Sequence, residues 1–348
     1  MLLELNMGNW YNWILCILLL VGGIFLLVKC SDFFVGAASS IAKKLHVSPL
    51  IIGLTVVAFG TSCPELAVSV SDSISCLIDG GNANIAIGNV VGSNICNLLV
   101  VLGFSCLFTP IVVKKRTSRR EFPILIFVSI ICAIFGLCFN LKGQYAILRW
   151  EGAILVVLII AYVAYLVIDA KRQIKLGTVN PDETDEVIEE MSTLKSIIFI
   201  VVGLAGIIAG GEAVVYGAKN IAYGIGDAAK LNHDLVESLV GLTVVAVGTS
   251  LPELVTSIVA AKKGQNEIAL GNVIGSNIFN ILFVLGIAGV VNPLTVGNGI
   301  RVDLAVMLAS TLLVFGFALT GKIGKKAGFL LLACYAGYLV YLIINTVM

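Results

Sequence analysis

Two glutamates of this 348-residue chain, Glu65 and Glu253, stand in nearly identical segments: GLTVVAFGTSCPE at 53–65 returns as GLTVVAVGTSLPE at 241–253. A carboxylate inside an apolar run is costly in lipid and is retained mainly where it lines an ion or substrate path. The preceding proline, Pro64 or Pro252, has no N–H to give to the carbonyl of Gly60 or Gly248, and the glycines let the backbone open. Carbonyls freed near Ala58 and Ala246 then become oxygen ligands. Thr61 and Glu65 are four apart and share a helix face, as do Thr249 and Glu253. Hydroxyl, carbonyl and carboxylate oxygens are what hard cations such as Ca²⁺ and Na⁺ prefer. A plain proline kink with a protonated glutamate is the simpler reading of one copy, and the duplication argues against it.

A second pair of segments follows. GNVVGSNICNLLVVLG at 88–103 matches GNVIGSNIFNILFVLG at 271–286 in 12 of 16 positions. Gly88 and Gly92, and Gly271 and Gly275, have the spacing that lets helix backbones approach closely. Ser93 and Asn97, like Ser276 and Asn280, lie four apart on one face. Asn89 and Asn272 fall on the same broad stripe, while Asn94 and Asn277 turn away. An asparagine amide serves equally as interhelical hydrogen-bonding group or as ligand, and the spacing leaves both open. Together the copies gather two carboxylates, two amides and several hydroxyls around one centre of formal charge −2. One Ca²⁺ or two Na⁺ neutralise that charge, and three Na⁺ overshoot by one. Such a site holds either ion type but not both, which is the physical basis of exchange.

The elements that position these residues are membrane helices. The chain is 59% hydrophobic and 12% charged, against about 25% charged in ordinary soluble proteins, and its mean hydropathy is +1.05. Charge and turn signals delimit ten apolar spans near 12–35, 48–77, 84–108, 122–140, 147–169, 196–223, 235–261, 267–290, 302–320 and 326–347, each able to cross a hydrocarbon core of about 30 Å. An all-α polytopic fold follows, because only helices and closed barrels satisfy their backbone in lipid. The first motif falls in spans two and seven and the second in three and eight. An offset of five spans inverts the second copy, so the chain reads as two inverted five-helix repeats, 1–170 and 196–348, joined by an acidic linker at 171–195. Most of the 22 basic residues occupy alternate connections, among them Lys43, Lys114, Arg116, Arg120, Arg172, Lys263 and Lys326. By the positive-inside rule these are cytoplasmic, and both termini face outward.

Other polar residues have plainer readings. The linker acids, Asp182 to Glu190, lack the ligand spacing and central glycine of an EF-hand and read as solvated chain. Lys29, Asp32 and Glu212 are placed near span ends, and His46 and His233 in loops. Asp72 is a helix-end acid or a lure for cations in an outer vestibule. Trp10, Tyr11 and Trp13 fit an interfacial belt. The first span has no basic leader and does not read as a cleavable signal. Nine cysteines without CxxC spacing read as small buried residues.

The doubled GTSCPE/GTSLPE and GNVVGSNICN/GNVIGSNIFN segments resemble the α-repeats of the Na⁺/Ca²⁺ exchanger branch of the calcium/cation antiporters, over nearly the whole chain. The resemblance implies that Glu65 and Glu253 are the central Ca²⁺ and Na⁺ ligands. It adds Thr61, Ser62, Thr249, Ser250, Ser93, Ser276, Asn97, Asn280 and the carbonyls of Ala58 and Ala246. Asn280 stands where K⁺-dependent members, and some prokaryotic ones, carry aspartate; the amide resembles the K⁺-independent type, and the resemblance implies exchange that is electrogenic at three Na⁺ per Ca²⁺. The expected function is antiport of Ca²⁺ against Na⁺ in the cell membrane. The expected partners are those ions and the bilayer, with no cofactor, nucleic acid or obligate protein partner. A H⁺-coupled exchanger of the same fold is the alternative. A channel is disfavoured, because paired charged ligands bind too tightly for fast conduction. A membrane enzyme is disfavoured too, because neither histidine lies in a motif.

Overall fold

Long apolar runs without a single polar face must be covered on all sides by lipid or by other helices, and the chain sorts its helices between those two fates. The computed structural model describes residues 5, 7–79, 85–141, 144–176, 191–229 and 246–347. The linker acids, His233 and the first half of the expected seventh span lie outside these residues. Helix α1 is Trp10–Lys44, and a bent pair follows, α2 (Pro49–Thr61) and α3 (Cys63–Asp79). Then come α4 (Ile85–Phe108), α5 (Lys115–Cys138), α6 (Arg149–Leu176) and α7 (Thr193–Ala228). The second half continues with α8 (Ala246–Thr249), α9 (Leu251–Lys262), α10 (Asn266–Val291), α11 (Asn298–Leu319) and α12 (Lys325–Val347). Among the described residues, 8 helices are long and apolar enough to cross a membrane, or 9 when α2 and α3 count as one span. The expected span 235–261 is described only from 246 onward, as α8 and α9.

The two helices that carry the second motif form the centre of the bundle. In α4 and α10 83% of the apolar window is buried, against 28% in α1 and α7. Phe25 on α1, Val157 on α6 and Phe329 on α12 instead turn their side chains outward, as lipid-facing positions do. Helix α10 packs on α2 through the predicted glycines. A methyl group added at Gly271 would lie 2.8 Å from the Leu50 carbonyl oxygen, and one at Gly275 2.6 Å from the Ala58 Cβ. The residues matching Leu50 and Ala58 as partners for Gly88 and Gly92 are 238 and 246, whose side chains are outside the described set.

Two small ribbons tie the halves together. Strand β1 (Ile111–Val112) pairs antiparallel with β5 (Lys322–Ile323), and β3 (Gln144–Ile147) pairs with β4 (Leu294–Thr295) as well as with β2 (Asn140–Leu141). The first ribbon joins the connection after α4 to that after α11. The second joins the connection after α5 to that after α10.

Helices α1 and α7 lie against each other along their length, and glycines set the distance. A Cβ on Gly23 would meet the Gly210 carbonyl oxygen at 2.8 Å, and one on Gly210 the Gly23 carbonyl oxygen at 2.9 Å. Neighbouring Gly22 has nothing within 4 Å among the described residues. Gly23→Ala is therefore expected to cost about 1–3 kcal/mol of stability through overpacking, read as a lower thermal midpoint in detergent. Gly22→Ala is expected to leave that midpoint unchanged or higher.

Candidate cation site

The first motif breaks its helix where glycine and proline predict. Helices α2 and α3 meet at a bend of 46°, with Ser62 at φ −82°, ψ 5°. Ser250, between α8 and α9, has almost the same geometry at φ −87°, ψ 4°, in the sparsely populated bridge region. Each glutamate stands in the first turn after its break. The second motif contains π turns at Asn97–Val101 and Asn280–Val284. In them the Leu102 amide bonds the Asn97 carbonyl and the Leu285 amide that of Asn280. A third lies at Gly53–Val57, ahead of the first break. Such turns carry one extra residue and re-aim the side chains around them, and they concentrate at functional sites.

These devices bring most of the predicted residues to one place. Glu65 and Glu253 are both fully buried, as are Thr61, Asn97, Ser276 and Asn280. The contacts run between the halves. The Ser62 hydroxyl donates to Glu253 Oε1 at 3.3 Å, joined from Glu253's own half by that of Ser276 at 3.5 Å. Ser93 Oγ and Thr249 Oγ1 are 3.4 Å apart. Thr61 Oγ1 donates to Asn272 Oδ1 at 3.1 Å and stands 3.1 Å from the Val57 carbonyl. The Ala58 carbonyl is not wholly free: it accepts the Ser62 amide at 3.1 Å, which leaves it one lone pair. Ala246 opens α8.

The oxygens left over define what the place can hold. Both carboxylate oxygens of Glu65, Glu253 Oε2, Asn97 Oδ1, Asn280 Oδ1 and Ser250 Oγ are buried without a hydrogen-bond partner among the described residues. Buried acceptors in a folded protein are almost always satisfied, so a convergent set of orphaned oxygens calls for a cation. Other buried acids are held in part by protein donors. Tyr162 donates to Glu121 Oε2 at 3.3 Å, and the Leu148 amide to Glu151 Oε2 at 2.6 Å. No cluster of three or more His, Cys, Asp and Glu side chains is present among the described residues. The donor set is thus two carboxylates with hydroxyls and amides, which suits hard cations rather than zinc or copper.

The chain matches the family described as sodium/calcium exchanger protein over residues 15–168 and 195–344. It belongs to the sodium/calcium exchanger family. It is 35% identical to the sodium/calcium exchanger MaX1 of Methanosarcina acetivorans, covering 93% of this chain and 97% of that one. It is 36% identical to the inner membrane protein YrbG of Escherichia coli over 79% of each. Its fold is similar to the solved structure of the sodium-calcium exchanger NCX_Mj, with a TM-score of 0.76 at 33% identity over 94% of this chain and 99% of that one. Family and fold are those of integral, multi-pass transporters.

Several residues stand differently from their expected places in this exchanger. Asn94 does not turn away: it is fully buried, and the Asn280 amide donates to its Oδ1 at 3.2 Å. That bond leaves Asn280 Oδ1 as the group presented to a cation. A one-helix stripe misses it because Asn94 faces the other half of the molecule. Glu212 is exposed in the middle of α7 rather than near a span end. Two others stand as expected: Asp32 is paired, with Lys263 at 2.8 Å, and His46 lies in a loop, the turn after α1, at φ 54°.

Asp72 accepts the Ala86 amide at 3.1 Å and so caps the start of α4. Asp72→Ala is expected to cost about 1 kcal/mol of stability, as lost caps do. Its thermal midpoint should fall while the Ca²⁺ dependence of transport matches that of the unaltered protein.

Proposed function

We propose that this protein exchanges Na⁺ for Ca²⁺ across the cell membrane by alternating access, with Glu65 and Glu253 at the centre of one shared cation site. The observation that carries this reading is the convergence of two fully buried glutamates with orphaned oxygens from Asn97, Asn280 and Ser250. The formal charge of −2 matches one Ca²⁺ or two Na⁺, so the ions compete for the same oxygens. Thr61, Thr249, Ser62, Ser93 and Ser276, with the carbonyls of Ala58 and Ala246, complete the ligand set. The first half supplies the Ser62 hydroxyl to Glu253 of the second, and Ser93 meets Thr249 across the halves, so ion binding draws the halves together.

The architecture behind this reading is ten spans in two inverted five-helix repeats, 1–170 and 196–348, with both termini outside. Support comes from the matched breaks at Ser62 and Ser250, the matched π turns at Asn97 and Asn280, and the two reciprocal ribbons. If α1–α6 and α7–α12 are equivalent, exchanging the halves turns one ribbon into the other. The amide at Asn280, in place of a carboxylate, favours exchange without K⁺. Three Na⁺ for each Ca²⁺ makes the cycle electrogenic.

Inside-out vesicles and proteoliposomes test the coupling ion directly. ⁴⁵Ca²⁺ uptake is expected to follow an imposed Na⁺ gradient, to accelerate with a membrane potential of the right sign and to ignore K⁺. Uptake driven by a pH gradient alone would replace Na⁺ with H⁺ as the coupling ion. Glu65→Gln and Glu253→Gln are each expected to reduce Na⁺-driven uptake to the level of empty vesicles while the protein elutes as folded in gel filtration. Retained exchange in both variants would remove the two glutamates from the site.

A further inference from the structure

Two asparagines outside the ligand set make the same arrangement in both halves. Asn89 on α4 donates from Nδ2 to the backbone carbonyl of Glu65 at 3.4 Å and to Ser69 Oγ at 3.1 Å. Asn272 on α10 donates from Nδ2 to the backbone carbonyl of Glu253 at 3.4 Å and to Ser257 Oγ at 2.9 Å. Ser69 and Ser257 are fully buried, and each follows its glutamate by one helical turn. A primary amide has two N–H donors, and here both are spent on the turn that carries the glutamate. We propose that Asn89 and Asn272 are positioning residues that set the aim of the Glu65 and Glu253 carboxylates; this rests on the cation-site reading above.

The physical need arises at the break. A glutamate in the first turn of a helix lacks a full preceding turn to fix it, and in α3 and α9 the residue before it is proline, which contributes no hydrogen bond. The turn must be held from the side. Asn89 and Asn272 stand four residues before Ser93 and Ser276 on the helices that bear the serine and asparagine ligands. Each clamp therefore locks a carboxylate in register with the hydroxyl and amide oxygens of its own half. The second clamp reaches further, because Asn272 Oδ1 also accepts the Thr61 hydroxyl of the opposite half at 3.1 Å. A proton given to Asn272 turns the Thr61 lone pairs away from that bond. Asn272, fully buried, thus joins the glutamate turn of one half to the broken helix of the other.

Residues that orient ligands without touching the ion commonly alter affinity by about tenfold to a hundredfold. Ca²⁺ binding to the detergent-solubilised full-length protein measures this without any assumption about coupling. Asn89→Ala and Asn272→Ala are each expected to weaken Ca²⁺ affinity by about tenfold or more, and to raise the KM for Ca²⁺ more than they lower the maximal rate of exchange. Ser257→Ala is expected to shift affinity in the same direction, and Asn272→Ala with Ser257→Ala to be no worse than Asn272→Ala alone, since the clamp is already lost. Asn272→Gln, which keeps both donors, should recover part of the affinity. Variants with unchanged thermal midpoints whose Ca²⁺ affinity stays within about twofold of the unaltered protein would overturn the clamp. Should an asparagine variant fail to fold, Ser69→Ala and Ser257→Ala decide alone, and unchanged affinity in both overturns it. If the unaltered protein binds Ca²⁺ but shows no Na⁺-driven uptake, the coupling reading falls and the clamp stands or falls on its own affinities.

Discussion

Two carboxylates enclosed together in the centre of a membrane helix bundle constrain everything around them. Moving a charge from water into a medium of low dielectric costs several kcal/mol even after relaxation, and a second like charge beside it adds repulsion. Among the described residues no lysine or arginine pairs with Glu65 or Glu253. On the proposed reading, the compensating positive charge arrives from outside and is able to leave again. A resident salt bridge would stabilise the bundle and abolish the reason for the site. The basic side chains that do form ion pairs stand away from it: Lys114 holds Glu267, Arg116 and Arg120 hold Asp169, and Lys263 holds Asp32.

The irregular backbone serves the same constraint. A straight helix satisfies its own carbonyls and points its side chains outward at fixed intervals, which scatters ligands over several levels. Breaking the helix at Ser62 and Ser250 lets a glutamate, a serine and a threonine from one segment face a common point. The π turns at Asn97 and Asn280 do likewise for the amides. Irregular backbone survives at this depth because it is enclosed by protein, and the burial of α4 and α10 provides that enclosure. Glu267 contributes at the other end of α2, accepting the Leu50 amide at 3.4 Å, where a negative charge suits a helix start.

Much of this was legible in the residues. The cost of Glu65 and Glu253 in an apolar run, and the threonine one turn before each, follow from spacing alone, and the structure brings those side chains to the buried centre. The close approach at Gly271 and Gly275 was equally readable, since only glycine lets two backbones meet there. The role of Asn94 was not. Its position relative to Asn280 depends on where two helices cross, which a single-helix stripe does not contain. The π turns were also invisible, because they follow from packing rather than from any residue type. The Ala58 carbonyl shows the limit of arguing from proline: Pro64 withholds one hydrogen bond, but the Ser62 amide still reaches Ala58.

The two halves share motifs without sharing every contact, and that difference bears on how one site can face two sides. Across the halves the Asn280 amide closes on Asn94; among the described residues the matching pair, Asn97 and Asn277, makes no such bond, and both Asn97 polar atoms are without partners. Thr61 meets Ser276 across the halves just as Thr249 meets Ser93, and Thr61 alone of the two also reaches an asparagine, Asn272, among the described residues. Helix α1 is fastened to the second half by Ser31 to Thr256 at 3.2 Å, Ser39 to Gln265 at 2.7 Å and Asp32 to Lys263 at 2.8 Å. Two segments of nearly equal sequence can occupy two conformations only if those conformations are close in free energy. On the proposed cycle, the opposite access state is the one in which each half adopts the arrangement now held by the other. On that cycle the duplication that doubles the costly glutamate also provides two nearly isoenergetic states, between which a bound ion, by neutralising both carboxylates at once, would permit passage.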